Sequence, residues 1–432
     1  MPRRRLARDV CIIGSGMTKL GSVGSTPEIL NMTVCELFTW AAHEALKDAN
    51  CSPKNIEYLY LGNETGHLNE HQGMLDGSVS RWAGLRLGET GPGGIRMESA
   101  CSPSYHAVQE GVFAIASGMY DVVMCGGVEI VTMEVHKRYP GSLDAIDMLE
   151  GQRRITSSYD AGWFRPQLDD TGTNMAIRML AYGDKYGLSQ EQVRDTLDAF
   201  CMSDSFNGAR NPLAHYPFEV SYFAREAGFD DPKAYLDDLQ QNPYIVYPLR
   251  RLDFATISDG AAVHILCAAD KAKQFTDRPI KVLGLANRYG YTHTRDMTSI
   301  PQLVEASKIA YDMAGIGPES VDLLEVHTCY SPVGFIATED LGYFKRGEAW
   351  KAYLEGRTTF KGDKPVNTSG GSRARGNPTG AMFVLELYEL MEQLRHRAGA
   401  RQVEPQPKVG MAYQIGAGGD FQTMVMILGR DY

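Results

Sequence analysis

The chain repeats itself in kind, and that repeat restricts its fold more than any other feature. Each half opens with an apolar strand ending in small residues, Ile12-Ile13-Gly14 in the first and Leu283-Gly284-Leu285 in the second. An amphipathic helix and a second strand follow each time: residues 33–49 then 56–61, and residues 301–314 then 321–326. Later in each half a small-residue turn leads into a long apolar helix. The turns are Cys101-Ser102-Pro103 and Gly376-Asn377-Pro378-Thr379-Gly380. Each half closes with a strand beside glycines, Gly126-Gly127 and Gly416-Ala417-Gly418-Gly419. Strand–helix alternation duplicated in this order predicts an α/β fold of two similar halves. A pseudo-twofold axis between them would bring the helix starts near Cys101 and Asn377 to one place.

Residues 131–250 break the pattern. They are rich in charge and aromatics (Tyr159, Trp163, Phe164) and hold predicted helices over 176–186 and from Ser189. We read them as a helical excursion over the site. The division is 1–130 with 251–275 as the first half, 131–250 as the loop domain, and 276–432 as the second half.

Bulk properties exclude several classes. A net charge of −10 offers no basic surface for nucleic acid or an acidic membrane. No apolar run reaches transmembrane length. The eight cysteines are scattered without a Cys-x-x-Cys pair, so no structural zinc site is expected, and a reducing, cytoplasmic setting is. Gly14-Ser15-Gly16 after the first strand invites a dinucleotide-binding reading, but Lys19 stands where the third glycine belongs. His67 and His71 read as solvated polar residues, and His264 as a core histidine.

Cys101 precedes a helix start, where free N–H groups and the helix dipole favour a thiolate. His327 and Cys329 directly follow a buried strand, where functional side chains of α/β sheets gather. A thioester carbonyl under attack needs donors for its oxyanion, and His327 with Asn377 can supply them, while Cys329 can carry a proton to or from carbon. Each residue also has a plain structural reading: Cys101 and Cys329 as buried thiols, His327 as packing, Asn377 as a helix cap.

Seven ordered stretches resemble the thiolase superfamily, in its sterol-carrier-protein branch. They are Glu98-Ser99-Ala100-Cys101-Ser102, Gly126-Gly127-Val128-Glu129, Pro248 to Asp253, Ser258 to Ala262, His327-Thr328-Cys329-Tyr330, Val366 to Gly371, and Gly416 to Gly419. The resemblance implies a duplicated five-layered αβαβα core with an inserted loop domain, usually as a homodimer. It implies acyl-CoA C-acyltransferase chemistry, with coenzyme A as substrate and no permanently bound cofactor. By the match, Cys101 carries the acyl group, Cys329 is the acid/base cysteine, and His327 is the histidine of the same motif. It also suggests a small OB-fold partner bearing a zinc ribbon. The tyrosines and methionines of 131–250 suit a bulky or aromatic acyl group, of the benzoylsuccinyl kind.

Three positions depart from that pattern. Asn377 stands where the family has a histidine, and an amide can donate but cannot take a proton at neutral pH. Thr328-Cys329-Tyr330 replaces Asp-Cys-Phe, and Tyr413-Gln414 replaces His-Asn. Cys101, His327 and Asn377 together resemble the Cys–His–Asn set of initiating ketoacyl synthases. A ketosynthase-like condensing enzyme, a retro-aldolase and a non-catalytic subunit are the competing readings. Two thiols argue against the retro-aldolase, which needs none.

Overall fold

The computed structural model describes residues 5–64, 86–88, 91–132, 171–290, 296–416 and 422–431. His67, His71, Tyr159, Trp163, Phe164, Gly418 and Gly419 lie outside these.

Nine strands join in one mixed sheet. In chain order they are β1 (Val10–Met17), β2 (Tyr58–Gly62), β3 (Gly93–Met97), β4 (Val122–Glu129), then, past a short hairpin of β5 (Tyr244–Val246) and β6 (Leu249–Arg250), β7 (Gly260–Ala268), β8 (Ile280–Tyr289), β9 (Leu323–Val326), β10 (Val409–Gly416) and β11 (Gln422–Gly429). The spatial order is β3-β2-β4-β7-β1-β8-β11-β10-β9. Read outward from its centre, the sheet is the same twice. β7 and β11 run antiparallel to β1 and β8, β4 and β10 antiparallel to those, and β2 and β9 parallel to β4 and β10. Even β3 has a trace of a counterpart, a parallel bridge from Leu324 to Val366. The halves meet through a short antiparallel pairing, Cys11 with Lys281 and Ile12 with Ile280. The duplication predicted from sequence is therefore present in the strand order.

The main helices are α1 (Val34–Asp48), α2 (Pro103–Ala116), α3 (Thr171–Tyr186), α4 (Gln190–Gly208), α5 (Val220–Glu226), α6 (Pro232–Asp237), α7 (Pro301–Ala314), α8 (Ser331–Asp340), α9 (Ala349–Leu354) and α10 (Met382–Leu394). Alternating strand residues separate the layers. On β4, Val122 and Met124 face a cluster with α1, while Val123 and Cys125 face one built on α2 and α10. On β11, Met424 and Met426 share that middle cluster, while Val425 and Ile427 face α7 and α8. The result is five layers: helix, half-sheet, two central helices, half-sheet, helices. Met175, Met179, Tyr182, Val193, Leu197 and Phe200 of α3 and α4 pack into the last of these.

One sequence expectation is corrected. The first strands do not end at their glycines; β1 runs through Gly14-Ser15-Gly16, and β8 through Gly284. A Cβ on Gly14 would lie 2.3 Å from the Ala45 carbonyl oxygen, and one on Gly284 2.2 Å from that of Ala310. The glycines let α1 and α7 lie against the sheet, and no phosphate-binding turn exists there.

Two N-terminal boxes set helix starts, the one at Ser189 as the sequence predicts. Thr33 and Glu36 cap α1 reciprocally, and Ser189 and Gln192 cap α4.

Candidate active site

The candidate residues lie where the parallel strands β2, β3 and β9 end. Leaving β3, the chain turns sharply over Glu98–Ser102. The Ala100 N–H donates to Glu98 Oε1 at 2.7 Å, and the Ser102 N–H and hydroxyl donate to the Ser99 carbonyl at 3.0 and 2.7 Å. Ala100 holds φ at +46°, a strained region for a residue with a Cβ, and such strain persists only where surroundings fix it. Half-buried Cys101 emerges from this turn, two residues before Pro103 opens α2. Ser102 is the N-cap by position but makes no cap bond, because its hydroxyl is turned back into the loop.

The second half holds this loop in place. Gln414 on β10 donates its amide to the Cys101 carbonyl. Gln422 on β11 accepts from Ser99 Oγ at 3.0 Å. The neighbour of Gln414, Tyr413, accepts the His327 N–H on its carbonyl at 3.0 Å. Adjacent residues of one strand thus fix the main chain at both Cys101 and His327.

His327 and His264 are both fully buried, with opposite surroundings. His264 is the core histidine expected, with Nδ1 3.0 Å from Ser15 Oγ and Nε2 2.8 Å from the Val384 carbonyl oxygen. Neither ring nitrogen of His327 has a hydrogen-bond partner among the described residues. Burial first, then the positive field of Arg375, pushes the His327 imidazolium down to about 3, so the ring is neutral. Its neighbour is Glu386 on α10, with Oε1 3.8 Å from His327 Nδ1. Burial pushes that carboxyl well above its usual range, and Arg375 opposes the shift only in part.

Cys329 lies in the turn between β9 and α8. Desolvation pushes its thiol up to about 12, which leaves it protonated at neutral pH even though part of its surface is open. Its carbonyl accepts the Ala255 N–H at 2.9 Å. The same extended segment, 254–258, receives Asn377, whose N–H donates to the Thr256 carbonyl at 2.9 Å. The Asn377 side-chain Oδ1 is buried without a hydrogen bond. Among the described residues that oxygen caps nothing, so Asn377 is no conventional cap: its main chain is held and its side-chain carbonyl is left over.

The stretch Asn367–Ser372 braces the second half of the site. Asn367 Oδ1 accepts the Val326 N–H at 2.8 Å. Ser372 and Thr328 exchange bonds of 2.8 and 3.1 Å.

The two helix starts come together as the pseudo-twofold requires. A Cβ on Gly127, at the end of β4, would lie 2.8 Å from Ser104 Cβ in α2 and 2.7 Å from the Gly380 carbonyl oxygen before α10. Tyr105 and Phe383, in the first turns of those helices, pack edge to face at 4.8 Å. The structure thus links Cys101 with His327 through β10, Cys329 with Asn377 through 254–258, and the two helix starts through Gly127.

Sequence reasoning missed Glu386 and Arg375. Both lie in or beside an apolar helix start, and only burial marks them out. Arg375 is 1% exposed, with Nη1 3.6 Å from Glu325 Oε2.

Comparison with known proteins agrees with the geometry. Residues 10–270 match the family described as "Thiolase, N-terminal domain", and residues 285–430 match "Thiolase C-terminal domain-like". The chain is 33% identical to an acetyl-CoA acetyltransferase of Methanothermobacter thermautotrophicus over 95% of this chain and 97% of that protein. It is 27% identical to the benzoylsuccinyl-CoA thiolase subunit BbsB of Thauera aromatica over 96% of each. Among solved structures, the Ltp2-ChsH2(DUF35) aldolase superposes with a TM-score of 0.74 at 19% identity, covering 98% of each chain. Human mitochondrial 3-ketoacyl-CoA thiolase in complex with CoA superposes with a TM-score of 0.65 at 20% identity, covering all of both chains.

Proposed function

The chain belongs to the thiolase family of acyltransferases, and from that premise we propose that it transfers an acyl group between a carbon acid and coenzyme A through an acyl-enzyme on Cys101. The observation that carries this reading is the packing of the two helix starts, one behind Cys101 and one behind Asn377, against Gly127. On this reading the nucleophile and an amide whose NH2 group can donate come from equivalent helix ends.

In the cleaving direction, the Cys101 thiolate attacks the keto carbon of a 3-oxoacyl-CoA. Its partial charge is eased by the N-terminus of α2. The oxyanion takes hydrogen bonds from the Asn377 amide and from neutral His327. The bond between C2 and C3 breaks as the carbonyl re-forms on Cys101. The electron pair leaves on C2 of the departing acyl-CoA, and Cys329, held as a thiol, protonates that carbon. Free CoA gives its thiol proton to the Cys329 thiolate and attacks the acyl-Cys101 thioester, releasing acyl-CoA and Cys101.

The acyl group we propose is acetyl, the group named for the Methanothermobacter relative. The expectation of a bulky aromatic group rested on the tyrosines and methionines of 131–250. Of these, Met175, Met179 and Tyr182 are spent on packing, and Met133, Met148 and Tyr159 lie outside the described residues. Condensation in the ketosynthase manner is the second reading, favoured by the Asn377 amide. A partner subunit is proposed from the naming of BbsB as a subunit, and the sequence resemblance makes the proposed partner a small OB-fold protein with a zinc ribbon. A homodimer and a cytoplasmic setting remain proposals. Among the described residues, no helix is long and apolar enough to cross a membrane.

The test is thiolysis of acetoacetyl-CoA and of a benzoylsuccinyl-type thioester by the purified chain, alone and with any co-purifying small subunit. Cleavage of acetoacetyl-CoA to acetyl-CoA supports the acetyl reading. Cleavage of the aromatic thioester alone overturns it in favour of the bulky acyl group.

A further inference from the structure

Glu386 is a buried carboxyl group with no hydrogen bond on either oxygen among the described residues. Such a group is costly, because it gives up water and gains no partner. Methionine or leucine would fill the same space in α10 without that cost. The nearby charges do not account for it. Arg375 is engaged with Glu325 at 3.6 Å and donates to Ser369 Oγ at 3.3 Å. Glu389, one turn on, is paired with Arg401 at 2.8 Å. What faces Glu386 is His327, whose Nδ1 is 3.8 Å away and equally unpaired.

Two buried groups that both favour their neutral forms can pair with a ring N–H donating to the acid's carbonyl oxygen or with the acid's O–H donating to the ring, and only the second gives the acid's own proton a partner. A carboxylic acid donates its O–H, and the imidazole accepts at the nitrogen without hydrogen. A small side-chain rotation closes 3.8 Å to hydrogen-bond distance. With Nδ1 accepting, the ring hydrogen must sit on Nε2. We propose that Glu386 is a positioning residue for His327: as a carboxylic acid it donates to Nδ1 and holds the ring as the Nε2–H tautomer, which offers that N–H to the thioester oxygen. The inference rests on the acyl-transfer reading for its last step only. A carboxylic acid kept neutral by an apolar site so that it can donate is known enzyme chemistry.

The test separates the pair from the reaction. Nitrogen-15 spectra of the histidine-labelled protein, with His327 assigned through His327→Gln, report which ring nitrogen carries hydrogen. We expect Nε2–H in the wild type and in Glu386→Gln, whose amide can donate in place of the acid. Glu386→Met should lose that preference while keeping or raising the thermal midpoint, since an unpaired polar group is replaced by an apolar one. Its kcat should fall about 10–100-fold with KM little changed, and Glu386→Gln should recover most of the loss. A wild-type His327 with hydrogen on Nδ1, or a folded Glu386→Met with wild-type kcat, overturns the proposal. If the wild type turns over no 3-oxoacyl-CoA, the acyl-transfer reading fails, and the spectra still decide whether Glu386 sets the tautomer.

Discussion

The side-chain amide of Gln414 donates to the main-chain carbonyl of Cys101, so a strand of the second half holds the nucleophile loop of the first. Gln414→Ala should leave that carbonyl without this donor and loosen the turn over Ala100 and Cys101. A typical hydrogen bond is worth about 0.5–1.5 kcal/mol net, which corresponds to roughly a 2–10-fold fall in the rate of Cys101 acylation. Stopped-flow acylation by acetyl-CoA measures it. An unchanged rate would mean that the strained turn holds itself.

Asn377→Ala removes the amide while leaving the main chain bonded to Thr256. Loss of one oxyanion donor costs about 10²–10³ in turnover, and substrate binding should change far less. Asn377→His restores a donor in the same frame and should retain substantial activity, with a new dependence on pH because imidazole titrates near neutrality. Turnover against pH for the three proteins gives the answer. Full activity in Asn377→Ala would reduce Asn377 to a structural residue.

Neutral His327 also has a consequence for stability. Its pKa falls from 6.5 to about 3 on folding. Between those values the unfolded chain binds more protons than the folded one, so this residue's contribution is lost as pH falls from about 6.5 towards 3. The slope is at most about 1.4 kcal/mol per pH unit. Replacing His327 with glutamine removes it. Urea unfolding at pH 7, 5.5 and 4.5 should show the variant gaining on the wild type as the medium becomes acidic. Parallel losses in the two proteins would show that His327 is not buried in its neutral form.

Much of the architecture was legible in the chain because it rests on local pattern. The helix read at 301–314 coincides with α7, and the matched helix starts of Cys101 and Asn377 were set by small residues before apolar runs. The glycines of β1 misled on where the strand ends, because their role is close approach to α1, a tertiary fact that periodicity does not record. Glu386 was not legible for the opposite reason. It sits in a helix where a glutamate is ordinary, and only its depth and its distance from His327 give it meaning. Asn377 was singled out by motif, but that its side-chain oxygen lacks a hydrogen bond among the described residues is visible only in three dimensions.

Asp259 lies in a stretch that carries the resemblance, yet its work is structural. Its carboxylate accepts from the N–H groups of Val23, Val131 and Thr132 at 2.8, 2.8 and 2.9 Å, and from the Thr132 hydroxyl at 2.7 Å. This ties the chain after β1 and after β4 to the start of β7. Asp259→Ala strands three buried N–H groups at about 1–3 kcal/mol each, so a loss of at least about 3 kcal/mol is expected. Chemical denaturation checks this. A loss below about 1 kcal/mol would show that water or a rearranged loop replaces the carboxylate.

The central claim is that Cys101 carries the acyl group. The most direct measurement is the intact mass of the protein after brief exposure to acetyl-CoA and acid quenching, followed by peptide mapping. The wild type should gain one acetyl group on the peptide containing Cys101. Cys101→Ser should gain none, and Cys329→Ala should still be acetylated although it cannot complete carbon–carbon cleavage. An adduct on another residue, or one that persists unchanged in Cys101→Ser, would contradict the account.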